Sequence, residues 1–140
     1  MKVKYTFTSD SHQLAEVRHC VRSFLRKYQF DECLTELLVL GLDEACTNII
    51  RHAYGCNGKP VRLEMESRRD RVRFILRDYG RSCDPRRIRS RELSDVRPGG
   101  VGVHIIRQVF DNVKYEPCRR GTRLVLEKRF SENPGKAAVF

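Results

Sequence analysis

The chain has 140 residues, enough for one domain with its own core, and 40% of them are hydrophobic. Charged residues make up 33%, which implies a densely charged surface on a folded chain and excludes a tail-like disordered one. Net charge is +10, which admits a nucleic acid, an acidic protein or a phosphate-rich ligand as partner, while no apolar run reaches the roughly 18 residues of a membrane helix.

Residues 2–8 alternate Val3, Tyr5 and Phe7 with Lys2, Lys4 and Thr6, the pattern of a strand with one buried face. This opening does not read as a signal peptide, so a cytoplasmic protein is expected. Ser9, Asp10 and Ser11 offer an N-cap for a helix predicted over 11–28, with Leu14, Val17, Val21 and Leu25 at helical spacing. Asp31 can cap a second helix, predicted to run to about Tyr54. Leu34, Leu37, Leu38, Leu40, Gly41, Leu42, Ala45, Ile49 and Ile50 make it apolar on most sides, so it should be the central, most buried helix. A turn cluster at 55–60 follows. Residues 61–66 and 71–78 alternate around the short turn SRRD and read as a hairpin. Residues 86–100 form a polar, basic stretch with room for one helical turn, and loops of that length tend to be functional. A short helix is predicted over 101–110. Two strands follow, 112–116 and 121–130, around the turn CRRG, and the chain is expected to fray from Ser131 onward.

This order, β-α-α-β-β-loop-α-β-β, predicts an α+β fold. It is a two-layer α/β sandwich with a mixed, mostly antiparallel sheet and helices on one face. A single domain over 1–130 and a flexible tail over 131–140 are expected. Cys20, Cys33, Cys46, Cys56, Cys83 and Cys118 are scattered without C-x-x-C spacing, which argues against a zinc ribbon or a thioredoxin-like site. The excess charge falls mainly between Arg68 and Arg97 as arginine, suited to phosphate or carboxylate recognition and equally to a solvated surface.

Four segments carry candidate chemistry. In "LDEACTNIIRHAYG", Glu44 and Asn48 stand one helical turn apart on one stripe, with Asp43 beside them. The others are "RDYGRSC", "PGGVGVHII" and "RGTRLVLEKRF". Singly each is weak: a polar stripe can simply face solvent, and an Asp can simply end a strand. GGVGV is not a dinucleotide fingerprint, because no strand directly precedes it and no βαβ unit surrounds it. The ordered set is what carries weight: E-x-x-x-N on a helix, D-x-G, G-x-G opening a helix, and G-T entering a strand.

That set resembles the N, G1, G2 and G3 boxes of the GHKL (Bergerat-fold) ATPase superfamily, in its anti-sigma factor/serine-protein kinase branch. DEACTNIIRHAYG is similar to that branch's helix motif, GGVGVHIIRQVFDNVKY to its glycine-opened helix, and GTRLVLEKRF to its final strand. The resemblance covers roughly residues 3–130. Two positions depart: DYGRSCDP lacks a second glycine or small apolar residue before its Asp-Pro, and Val103 stands where leucine is usual. Neither removes a ligand.

The resemblance implies a histidine-kinase-like ATPase domain that uses ATP and Mg²⁺. It makes Asn48 the metal ligand, suited by its amide oxygen to a hard cation, and Glu44 the general base. Asp78 would accept a hydrogen bond from the adenine amino group, Gly80 would let the base approach the backbone, and Thr122 would lie near the adenine through water. Gly100, Val101 and Gly102 at a helix start would hold phosphate oxygens, with Arg97 as a further phosphate contact and 86–97 as a lid. His52 is read as structural, packing or hydrogen-bonding, and His104 as helix surface, and Asp43 carries no role from the family. The implied function is an anti-sigma regulatory factor that phosphorylates a serine or threonine of a STAS-type anti-anti-sigma protein. The alternative is a non-catalytic ATP-binding module that only sequesters a regulatory protein. The expected partners are therefore a sigma factor and a STAS-domain protein, a homodimer is compatible with the family, and no membrane is expected. A nucleic-acid binder would show steeply salt-dependent affinity, but few aromatics accompany the arginines, and nucleic acid is not an expected partner.

Overall fold

The computed structural model describes residues 2–27, 30–51, 59–80 and 101–130. Its elements are β1 (Lys2–Thr8), a 3-10 turn (Ser11–Gln13), α1 (Leu14–Lys27), α2 (Glu32–Ile49), β2 (Pro60–Ser67), β3 (Arg71–Asp78), α3 (Val101–Val109), β4 (Asn112–Pro117) and β5 (Thr122–Arg129). The strands form one sheet in the order β1-β2-β3-β5-β4, and all four neighbouring pairs are antiparallel. This is the α+β sandwich the element order predicts.

Register explains the layers, because side chains alternate between faces and paired residues share one. Val3, Met65, Phe74, Leu126 and Val113 align in one row across the sheet, and Tyr5, Leu63, Leu76, Leu124 and Tyr115 in the next. These rows join one core with Leu14, Val17, Val21, Phe24 and Leu25 of α1, with Leu34, Leu38, Leu42, Ala45, Cys46 and Ile49 of α2, and with Ile106 and Val109 of α3. A third row on that face begins Phe7, Val61, Asp78. It turns polar, and the candidate site is built there.

The opposite face is a charged mosaic. Glu64 lies 3.7 Å from Lys2 and 3.8 Å from Lys4, and Glu127 lies 3.3 Å from both Arg71 and Arg73. Surface pairs of this kind, partly exposed here, contribute about 0–1 kcal/mol each, so they account for part of the arginine content without an anionic ligand.

Local signals place the helices. The Asp10 carboxylate accepts the His12 N–H at 3.0 Å, and its carbonyl accepts the Gln13 N–H at 3.0 Å. The Asp31 carboxylate caps α2 through the Cys33 N–H at 3.2 Å. Arg18–Asp43, Arg22–Glu36 and Arg26–Glu32 ion pairs at 2.8, 2.8 and 3.3 Å climb α1 while descending α2, so the two helices are antiparallel. Gly41 lets α3 come close: a Cβ there would meet the Phe110 ring at 2.8 Å and Val109 at 3.3 Å. α2 is more one-sided than its composition suggests, since Leu40 is 43% exposed. The Ile50 N–H still bonds the carbonyls of Cys46 and Thr47, while the expected helix end at Tyr54 lies outside the described residues.

Thr35 in α2 is 1% exposed, and its hydroxyl has no hydrogen-bond partner among the described residues. Thr35→Val keeps the shape and removes an unsatisfied polar group. It is expected to raise unfolding stability by about 1 kcal/mol, read by urea denaturation, and an unchanged or lower midpoint would show that the hydroxyl is satisfied in solution.

Candidate functional site

Asp78 ends β3 on the helix-facing side and is 4% exposed. One of its carboxylate oxygens accepts the Gly80 N–H at 3.1 Å, and the Thr122 N–H also donates to the carboxylate. The β3–β5 register, Arg77 opposite Arg123, brings Thr122 to the next place along. Thr122 is 6% exposed, and its hydroxyl has no hydrogen-bond partner among the described residues. Gly121 makes the approach possible. It holds a left-handed φ of +84°, and a Cβ on it would stand 2.1 Å from the Asp78 carbonyl oxygen. The structure thus joins D-x-G and G-T, distant in sequence, into one buried corner with a carboxylate acceptor and an unused hydroxyl. Such a corner can receive a ligand amine beside an adjacent polar group.

Burial pushes the Asp78 carboxyl above the ordinary carboxylate range, against the Gly80 and Thr122 N–H donors and the Arg77 charge. The folded chain therefore holds this proton more tightly than the unfolded one. The stability involved is present below the ordinary carboxyl pKa and lost as pH rises through the elevated one. Asp78→Asn is expected to raise the melting temperature of the ligand-free protein at neutral pH, with the gain shrinking toward acid pH. A gain independent of pH would remove ionisation as its cause.

The last turns of α2 come to this same end of the sheet. The Thr8 N–H at the end of β1 donates to the Gln13 side chain at 2.8 Å, so α1 starts there. The Arg18–Asp43 pair then brings the C-terminal half of α2 back alongside that start. The chain re-enters the sheet at Pro60, next to Val61 of the Asp78 row. In these turns Asp43 is held by Arg18, and the Thr47 hydroxyl donates to the Asp43 carbonyl at 2.9 Å. Glu44 and Asn48 are half-buried. Among the described residues, neither of their side chains has a hydrogen-bond or ion-pair partner. A carboxylate and an amide one turn apart can accept a proton and offer an oxygen to a hard cation.

Val101 and Gly102 open α3, where the first backbone N–H groups lack helical partners. His104 is exposed on that helix, as its pattern suggests. Arg97, Gly100, His52 and the lid segment 86–97 lie outside the described residues. Sequence reasoning missed Arg77, whose guanidinium donates to the carbonyls of Asp78 and Arg120. Its only sequence signal was its place one residue before Asp78. Cys46 is fully buried, and burial pushes its thiol well above the ordinary range, which leaves it inert.

Residues 7–128 match the family model described as the histidine kinase-like ATPase domain. A serine-protein kinase RsbW of Halalkalibacterium halodurans is 28% identical over 122 residues, covering 80% of this chain and 74% of that protein. The serine/threonine-protein kinase BtrW of Bordetella bronchiseptica is 33% identical over 85 residues, 56% of this chain and 59% of its own. A crystal structure of the RsbU and RsbW domains of a Mycobacterium tuberculosis protein shares the fold. Its TM-score is 0.68 at 15% identity, covering 92% of this chain and 32% of that one.

Proposed function

We propose, since this chain belongs to the histidine kinase-like ATPase family, that it binds Mg·ATP and transfers phosphate to a serine or threonine of a STAS-type anti-anti-sigma protein, acting as an anti-sigma factor. The observation that carries the nucleotide part is the buried Asp78 carboxylate beside Thr122, whose hydroxyl has no partner among the described residues. A purine amino group would satisfy the first, and a bound water or ring nitrogen the second. The kinase part rests on Glu44 and Asn48 and on relatives that are named serine-protein kinases.

The donor set suits the proposed cofactors. Among the described residues, no group of three or more His, Cys, Asp or Glu side chains could hold a metal ion. A lone Asn48 amide oxygen fits a cation that takes its other ligands from phosphates and water. Mg²⁺, when bound with ATP, would neutralise charge on the phosphates. The chain's own residues then divide the remaining work. Asp78 and Thr122 orient the base, and Gly80 leaves it room. The N–H groups of Gly100, Val101 and Gly102 hold phosphate oxygens together with Arg97. Glu44 takes the proton from the attacking hydroxyl. Phosphoryl transfer depends mainly on positioning and charge stabilisation, so such a sparse set is sufficient.

The test is transfer of label from γ-labelled ATP, with Mg²⁺, to a STAS-domain protein encoded beside this chain. Label is expected on a serine or threonine and is expected to be lost with Asp78→Asn. Complex formation without label would instead support a module that only sequesters its partner.

A further inference from the structure

Arg77 precedes Asp78 on β3, so its side chain leaves the opposite face of the sheet. There its guanidinium donates to the Asp78 carbonyl and, at 2.8 Å, to the Arg120 carbonyl, and it sits 4.4 Å from the centre of the Tyr79 ring. These contacts join two separate segments, the end of β3 and the turn that leads into β5. Between them Gly121 presses against the Asp78 backbone, and the next residue, Thr122, sends its N–H to the Asp78 carboxylate. Arg71, Arg73 and Arg123 on the same face are paired with carboxylates. Among the described residues Arg77 has no such partner and bonds two carbonyls.

We propose that Arg77 is a positioning residue of the nucleotide site. From the far side of the sheet it fixes the spacing between the Asp78 carboxylate and Thr122, and so sets affinity and selectivity for the purine base. The inference rests on the nucleotide-binding reading of that corner. Arginine suits the role because one planar fork reaches both carbonyls while its face lies on an aromatic ring. Lysine offers one point charge and cannot hold both segments in one geometry.

The experiment measures ATP and GTP affinity, amide hydrogen exchange and thermal melting for wild type, Arg77→Lys and Arg77→Met, the last keeping the stem over Tyr79. Both variants are expected to melt cooperatively, to bind ATP about tenfold more weakly and to discriminate less between ATP and GTP. Turnover at saturating ATP should stay within about twofold, because the clamp touches the base end of the site and not the phosphates. Unchanged ATP affinity and ATP/GTP ratio in cooperatively folded variants would overturn the proposal. Should wild type bind no ATP, the nucleotide reading itself fails, and exchange at the Gly80 and Thr122 N–H groups decides on the clamp. Faster exchange in the variants supports it, and unchanged exchange overturns it.

Discussion

Gly121→Ala is expected to cost about 3 kcal/mol of stability and to abolish nucleotide binding with it. Two independent penalties meet at this residue. Its φ of +84° is a conformation that L side chains rarely adopt. The added Cβ would also stand 2.1 Å from the Asp78 carbonyl oxygen, 2.7 Å from its carbon and 2.8 Å from the Tyr79 Cα. All three atoms are backbone, so no side-chain rotation relieves the clash. Either the turn moves off β3 or the end of β3 bends, and both changes separate Thr122 from Asp78. The coupling is the distinctive part: stability and affinity should fall together, whereas Thr35→Val, in a core helix, changes stability alone. Thermal melting and ATP titration on the same sample check this. A variant that melts within about two degrees of wild type and binds ATP normally would show that the corner tolerates displacement, against the positioning role assigned to it.

The elements were legible because their signals are local. Alternation in 2–8, 61–66 and 71–78 found three strands, helical spacing of Leu14, Val17, Val21 and Leu25 found α1, and Asp31 marked the start of α2. Leu40 misled because composition counts an apolar residue without saying which way it faces. The strand order was not legible: β5 lies between β3 and β4, and only long-range register seats Thr122 beside Asp78. Sequence resemblance named both residues as ligands of one base, and the sheet supplies the physical reason they can meet. Arg77 was beyond reach for a related cause. Its partners are main-chain carbonyls, one of them Arg120 across the turn, and a backbone acceptor leaves no trace in residue identity. Asp43 illustrates the reverse case. It looks like the natural companion of Glu44 in sequence, yet Arg18 of α1 engages it.

That division within α2 makes Glu44→Ala the most decisive substitution. Phosphate transfer is expected to fall by about 10²–10⁴-fold, the usual contribution of a positioned base, with ATP affinity changed by less than about twofold. Asp43→Ala is the matched control, one residue away on the same helix. It breaks a partly exposed ion pair with Arg18, which is worth at most about 1 kcal/mol, and should leave transfer nearly intact. Glu44 differs because nothing among the described residues holds its half-buried carboxylate, which leaves it the base in the proposed transfer. Glu44→Gln sharpens the test, since it keeps the size and one acceptor oxygen while removing the charge and with it the basicity. Equal loss in the Ala and Gln variants, with ATP still bound, identifies proton acceptance as the missing function. Full-rate transfer in either variant would remove Glu44 from the chemistry and leave α2 contributing Asn48 alone.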